Sequence, residues 1–298
     1  MKKLIVISLI MAGMVLMAGF STPSHAQGAA ADDKPTFYHL VPGTYVNPWP
    51  RFTVTYPKEW TAERPALVGG GQVFLVSPPG PGPHPDLGIT VTGFPHPLDT
   101  FPESALAVFK AVGFTDVTVV TDKPSHLQDG TLALEYEVHY SFNGIPKNTL
   151  FLVTKKGDDV IVHVEVTSRS GKVGEDLRAI PYSLRFQPEK DVAIKVPPDV
   201  QEFLDRANND LVSHDLAKVM AHYSDRYLNQ GKKKREVERS MAFWIDRVTT
   251  AEIGITEFVP EGDKAYLAGF GRINLGTVMV GETIIKENGE WKWYGNQR

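Results

Sequence analysis

Cysteine is absent from the 298 residues. Disulfides, thiolate nucleophiles, cysteine-ligated zinc and a lipid-bearing cysteine are therefore excluded, and stability must come from packed cores. Excess positive charge is absent too. Thirty-one lysines and arginines stand against 35 aspartates and glutamates, a formal net charge of −4, so no nucleic-acid partner is expected. After Phe20 no apolar run approaches the length of a membrane span. No G-x-S-x-G elbow occurs, and Val68-Gly69-Gly70-Gly71 lacks the Lys-Ser/Thr of a phosphate-binding loop, so it reads as a turn. No internal repeat is visible, and no cofactor is expected.

What is present begins with an address. Lys2 and Lys3 precede the charge-free run Leu4 to Phe20, and a polar stretch then ends in Ser24-His25-Ala26. This is the pattern of a bacterial-type export signal cut before Gln27. Its removal takes the net charge from −4 to −6. The expected location is periplasmic or secreted.

The remainder divides by grammar. Residues 27–36 read as a disordered leader. From 37 to 187 strands dominate: Phe52, Val54 and Tyr56 alternate with threonines, and Leu132 to Tyr140 and Val160 to Val166 have strict period two. These predict an antiparallel meander with one apolar face, Glu135, Glu137 and His139 lying on the other. One helix starts at Thr100, with Glu103 completing a capping box, and carries Ala105, Leu106, Phe109 and Val112. A short helix spans about 175–180. Pro188, Pro197 and Pro198 mark a linker over 188–198.

From 199 to 298 helices come first. Val200, Phe203, Leu204, Ala207 and Leu211 define one stripe. Leu216, Val219, Met220, Tyr223 and Tyr227 define a second, capped by Ser213, and Val237, Met241, Trp244, Ile245 and Val248 a third. Strands follow near 251–259, 264–274, 277–287 and 290–295, the last two joined at Asn288-Gly289. The fold class is α+β: an N-terminal α/β/α sandwich on an antiparallel sheet, then helices followed by a curved antiparallel sheet.

Two resemblances sharpen this layout. "SHDLAKVMAHYSDRYLNQG" at 213–231 and "IIKENGEWKWYGNQ" at 284–297 resemble the second helix and closing hairpin of SnoaL-like proteins, the nuclear-transport-factor-like group. That implies a cone-shaped sheet around a long helix with a pocket between them, and a homodimer through the convex sheet face. "RFTVTYPKEW" at 51–60 and "GEDLRAIPYSLRF" at 174–186 resemble the opening and ending of PsbP-like domains. Those are mostly exported, non-catalytic accessory proteins, which implies an envelope protein partner.

The chemistry candidates are few. Ser213-His214-Asp215 cannot act as a triad, because consecutive helical residues point about 100° apart. Nine histidines show no ligand spacing. His139 and His163 would stand about 9.5 Å apart across one intervening strand, too far for one metal. "KKKRE" at 232–236 reads as a solvated face, or as a contact for an anionic ligand or lipid surface. The candidate ligand-binding residues are Tyr223, Tyr227, Trp244, Trp291 and Trp293, an aromatic lining for a small apolar ligand. In enzymes of the SnoaL-like fold a tyrosine and a carboxylic acid stabilise an enolate while a second carboxylate moves the proton. Here Asp215 and Asp225 fall off the aromatic stripe. The expectation is thus an exported, non-enzymatic accessory or ligand-binding protein. The alternative is a lyase, isomerase or hydrolase acting on a small apolar substrate, which requires a carboxylate inside the cone.

Overall fold

A computed structural model describes residues 41–62, 66–68, 71–79, 87–168, 171–229 and 231–296. The export signal, the leader at 27–36 and most of the Pro-Gly loop at 77–86 lie outside them. Among the described residues no helix is long and apolar enough to cross a membrane. The chain forms two compact units, one holding Phe52–Phe186 and the strand that ends at Asn47, the other Pro48–Arg51 and Gln187–Arg298. Residues 188–198 therefore belong to the second unit. Ile194 N–H donates to Ile255 O at 2.7 Å there, so this stretch is anchored and does not hang as a free linker.

The first unit holds β1 (Thr44–Asn47), β2 (Phe52–Thr55), β3 (Thr61–Ala62), β4 (Ala66–Val68), β5 (Gly71–Ser77), β6 (Leu87–Gly93) and α1 (Phe101–Ala111). After these come β7 (Thr115–His126), β8 (Leu132–Phe142), β9 (Ile145–Lys156), β10 (Val160–Ser168), α2 (Glu175–Tyr182) and β11 (Arg185–Phe186). The main antiparallel sheet runs β3-β5-β6-β10-β9-β8-β7, with β4 on β5, and β1-β2-β11 form a small second sheet. The segments 51–60 and 174–186 meet in that small sheet, Phe186 opposite Phe52.

The one-apolar-face expectation does not hold. Central strand β10 is buried at every position, because α1 covers one face of the sheet and α2 the other. On the α1 face Phe101, Ala105, Val108 and Phe109 pack on Tyr136, Val138, Phe151 and Val153. On the opposite face Glu135 and Glu137 are buried, not solvated. Arg178 of α2 reaches both carboxylates, Tyr182 O–H donates to Glu135, and Asn148 Nδ2 donates to Glu137 at 2.8 Å. Pairing places His163 beside Val153 and Leu134, and Glu165 beside Phe151 and Tyr136. His163 therefore faces α1, opposite to His139, and the two do not share a face. Thr100 does sit at the start of α1, but its hydroxyl donates to Pro97 O at 2.7 Å and no side-chain cap bond forms.

Burial has a measurable consequence at β10. It pushes the Glu165 carboxyl up to about 8 and the His163 imidazole down to about 4. A raised acid is stabilising below its unfolded value and loses that contribution as pH climbs to its folded value. A depressed base loses its contribution as pH falls from 6.5 towards 4. The two slopes oppose one another near pH 5 to 6, and above 6.5 only the glutamate acts. Urea unfolding should show wild type losing about 2 kcal/mol relative to Glu165→Gln between pH 6.5 and 8, at about 1.4 kcal/mol per pH unit. Parallel pH profiles for the two proteins would contradict the burial of that carboxyl.

The second unit holds α3 (Pro198–Val212), α4 (Leu216–Ala221), β12 (Tyr223–Asn229), β13 (Lys232–Lys233) and α5 (Lys234–Ala242). Its remaining strands are β14 (Ala251–Glu261), β15 (Lys264–Ile273), β16 (Gly276–Glu287) and β17 (Glu290–Gly295). The sheet runs β13-β12-β17-β16-β15-β14, antiparallel except where β12 meets β17. A bulge between Ile255 and Glu257 increases the local bend of β14. Gly269 lets the crowded pair close, since a Cβ there would stand 2.0 Å from Gly254 O. Asn288 and Gly289 both have positive φ, as a two-residue hairpin requires. Val200, Phe203 and Leu204 of α3 bury against Ile255, Ala265, Leu267, Ile284 and Trp293.

Two helix expectations change here. The second helix ends at Ala221, and Tyr223 to Asn229 continue as a strand. Tyr223 lies opposite Trp293, and Trp293 N–H donates to His222 O at 2.7 Å. Ser213 closes α3 by donating to Asp210 O, and it is Asp215 that caps α4 by accepting from Lys218 N–H.

Candidate active site

Strand pairing decides which side chains face α3. Ile284 of β16 lies opposite Ala265 and Trp293, both in the core under α3. Side chains alternate along a strand, so Glu282 and Val280 share that inner face. Glu282 lies opposite Leu267, another core residue. A carboxyl thus sits on the inner face of the curved sheet, between Val280 and Ile284.

It is held there by β12. Tyr227 O–H donates to Glu282 Oε1 at 2.8 Å, and Asn229 Nδ2 donates to the same oxygen at 2.9 Å. Glu282 Oε2 has no hydrogen-bond partner among the described residues. β17 ends at Gly295, which lies opposite Thr283 of β16 and Leu228 of β12. Gly295 itself takes φ +90, and a Cβ there would stand 2.2 Å from Leu228 O, so β12 approaches at that point because the residue is glycine.

The electrostatics follow from the surroundings. Glu282 is half-buried, yet burial is the largest influence on its carboxyl and raises its pKa. The bonds from Tyr227 and Asn229 pull in the other direction and do not overcome it. Burial also raises Tyr227, and the Glu282 charge adds to it. Tyr223 is raised by burial first and by Glu282 second. Its hydroxyl has no hydrogen-bond partner among the described residues. Its ring meets that of Tyr227 edge to face, with centroids 5.1 Å apart. A proton acceptor and a phenol that stays protonated therefore stand within electrostatic reach of each other among apolar rings.

The five candidate aromatic residues fare differently. Tyr223, Tyr227 and Trp293 come together in this core, Tyr223 and Tyr227 from a strand instead of a helix, and Phe203 packs on Trp293 with centroids 5.2 Å apart. Trp291 packs at its edge and donates Nε1–H to Asp199 Oδ2 at 2.8 Å, which ties β17 to the first turn of α3. Trp244 is half-buried in the turn after α5 and is not among the described members of this cluster. Asp225 points outward and pairs with Lys234 at 2.8 Å. Glu282 and Asn229 were not singled out from sequence.

His222 Nε2 lies 2.7 Å from Asp210 Oδ2, and its ring contacts Phe203 edge to face. That pair braces α3 against the chain leaving α4. No three His, Cys, Asp or Glu side chains among the described residues gather as a metal site.

No protein-family profile matches the chain, and no curated protein is similar to it. Solved structures with similarity include a protein of unknown function with a cystatin-like fold from Nostoc punctiforme, 16% identical over 34% of this chain and 91% of that one, TM-score 0.27. A Bacteroides thetaiotaomicron protein is 12% identical over 85% of this chain and 89% of its own, TM-score 0.32. A nuclear-transport-factor-2-like protein involved in plasmid conjugation is 7% identical over 67% of this chain and 88% of its own, TM-score 0.22.

Proposed function

We propose that the second unit carries out proton transfer on a small apolar substrate, as an exported isomerase or lyase. The observation that carries this reading is the Glu282 carboxyl, raised in pKa among aromatic rings and anchored through one oxygen only. With Oε1 fixed by Tyr227 and Asn229, Oε2 is the atom that takes a proton from a carbon next to a substrate carbonyl. The Tyr223 hydroxyl donates a hydrogen bond to the oxygen on which negative charge develops. Glu282 then returns the proton at another carbon, or a leaving group departs. Tyr227 acts as a positioning residue.

The likeness of 213–231 and 284–297 to SnoaL-like proteins supports this chemistry, and the lysine-flanked apolar start supports export. The PsbP-like likeness of the first unit supports a docking role on an envelope partner. A second reading, storage or transport of a small apolar ligand without turnover, is favoured by Phe203, Trp293 and Tyr227.

The test uses nitrobenzisoxazole, an apolar probe whose ring C–H is removed by a base as its N–O bond opens to a coloured cyanonitrophenolate. Acceleration well beyond that given by an equal concentration of acetate is expected. Tight binding of the probe without turnover would favour the storage reading, and neither binding nor turnover would remove both.

A further inference from the structure

α5 and the turn after it present a feature that the inner site does not use. Arg235, Arg239, Phe243 and Arg247 recur every four residues and all are exposed, Phe243 at 81%. Arg235 and Arg239 share one face of α5, Phe243 follows as its C-cap, and Arg247 lies in the short turn beyond it. Lys232 and Lys233, also exposed, extend this stripe at the helix start. The segment 232–247 carries six cations and three anions, a local charge of +3 on a chain whose net charge is −4. Part of this charge is internally matched: Arg239 pairs with Glu236, and Lys234 with Asp225. Lys232, Lys233 and Arg235 have no ion-pair partner among the described residues. The Arg247 guanidinium lies 5.3 Å from the centre of the Phe243 ring and donates to Phe243 O at 3.0 Å, so a cation stands against the exposed ring.

We infer that this stripe docks on an anionic phospholipid surface. A ring exposed at the end of a cationic stripe suits the headgroup region, where the ring leaves water and each guanidinium or ammonium meets a phosphate. The opposite side of α5 is already occupied: Val237 packs on the aromatic core, and Lys234 Nζ donates to Tyr223 O at 2.9 Å. Docking therefore brings the α5 wall of the inner site against the bilayer. The inference stands on the stripe alone and does not depend on proton transfer.

The experiment is vesicle co-sedimentation of the chain from Gln27 onward, which retains every described residue. Binding to vesicles containing phosphatidylglycerol is expected, with little on pure phosphatidylcholine and a loss as salt is raised. Lys232→Glu combined with Lys233→Glu should weaken binding more than tenfold, and Phe243→Ser about fivefold, with circular dichroism unchanged. Equal binding to both vesicle types, no binding to either, or variants that bind like wild type would overturn the inference. Binding to polyglutamate or single-stranded DNA in preference to vesicles would overturn it too, in favour of a soluble polyanion.

Discussion

Exchanging Glu282 for glutamine is expected to lower turnover of the nitrobenzisoxazole probe by about a hundredfold or more, the usual worth of a positioned general base. The substitution keeps the shape of the site. The amide oxygen still accepts from Tyr227 and Asn229, so folding should persist. A carboxyl raised by burial costs the folded state stability as pH rises above its unfolded value of 4.5, because the unfolded chain ionises more readily. Glu282→Gln should therefore melt at or above the wild-type temperature at pH 8 while losing activity. Loss of activity through misfolding would lower both, so the pair of measurements separates catalysis from damage. Tyr227→Phe removes a bond that favours the charged carboxylate, and should move the pH midpoint of the rate upward. Unchanged turnover in Glu282→Gln would contradict the role of this carboxyl.

The largest stability effect should come from Arg178→Ala in the first unit. Glu135 and Glu137 keep only 7% and 4% of their side-chain area exposed, and Arg178 contacts both. Lys123 also reaches Glu135, at 3.3 Å, but its own side chain is largely exposed. Removing the guanidinium leaves two carboxylates beneath α2, a loss on the order of 3–5 kcal/mol by chemical denaturation. Arg178→Met combined with Glu135→Gln and Glu137→Gln should recover much of it, because buried ion clusters compare poorly with neutral packing but are costly to break. A loss below about 1 kcal/mol in Arg178→Ala would mean that α2 is not held to the sheet through this cluster.

How far these features could be read from the chain depended on how the strands are covered. β14 to β17 were legible because the Asn288-Gly289 turn fixes one register and alternation then counts back from it. The same counting puts Glu282 on the face of Val280 and Ile284, which was the available signal for the missing acid. A helical reading of 216–227 hides it, because that helix stops at Ala221 and the stripe it implies carries no acid. The spacing of Tyr223 and Tyr227 suits a helical face and a strand face equally, and pairing with Trp293 decides for the strand. In the first unit alternation failed because β10 is covered on both sides. Val162 and Val164 face one way, and His163 and Glu165 face α1. No local pattern reveals a partner such as Arg178, 41 residues from Glu137.

The most direct measurement is a pH titration of carboxyl absorption by infrared difference spectroscopy, wild type against Glu282→Gln. The account predicts one carboxyl, missing from the variant, that ionises above 4.5 and whose midpoint matches that of the probe reaction. A Glu282 carboxyl that ionises in the ordinary range, or a rate that ignores its ionisation, would contradict it.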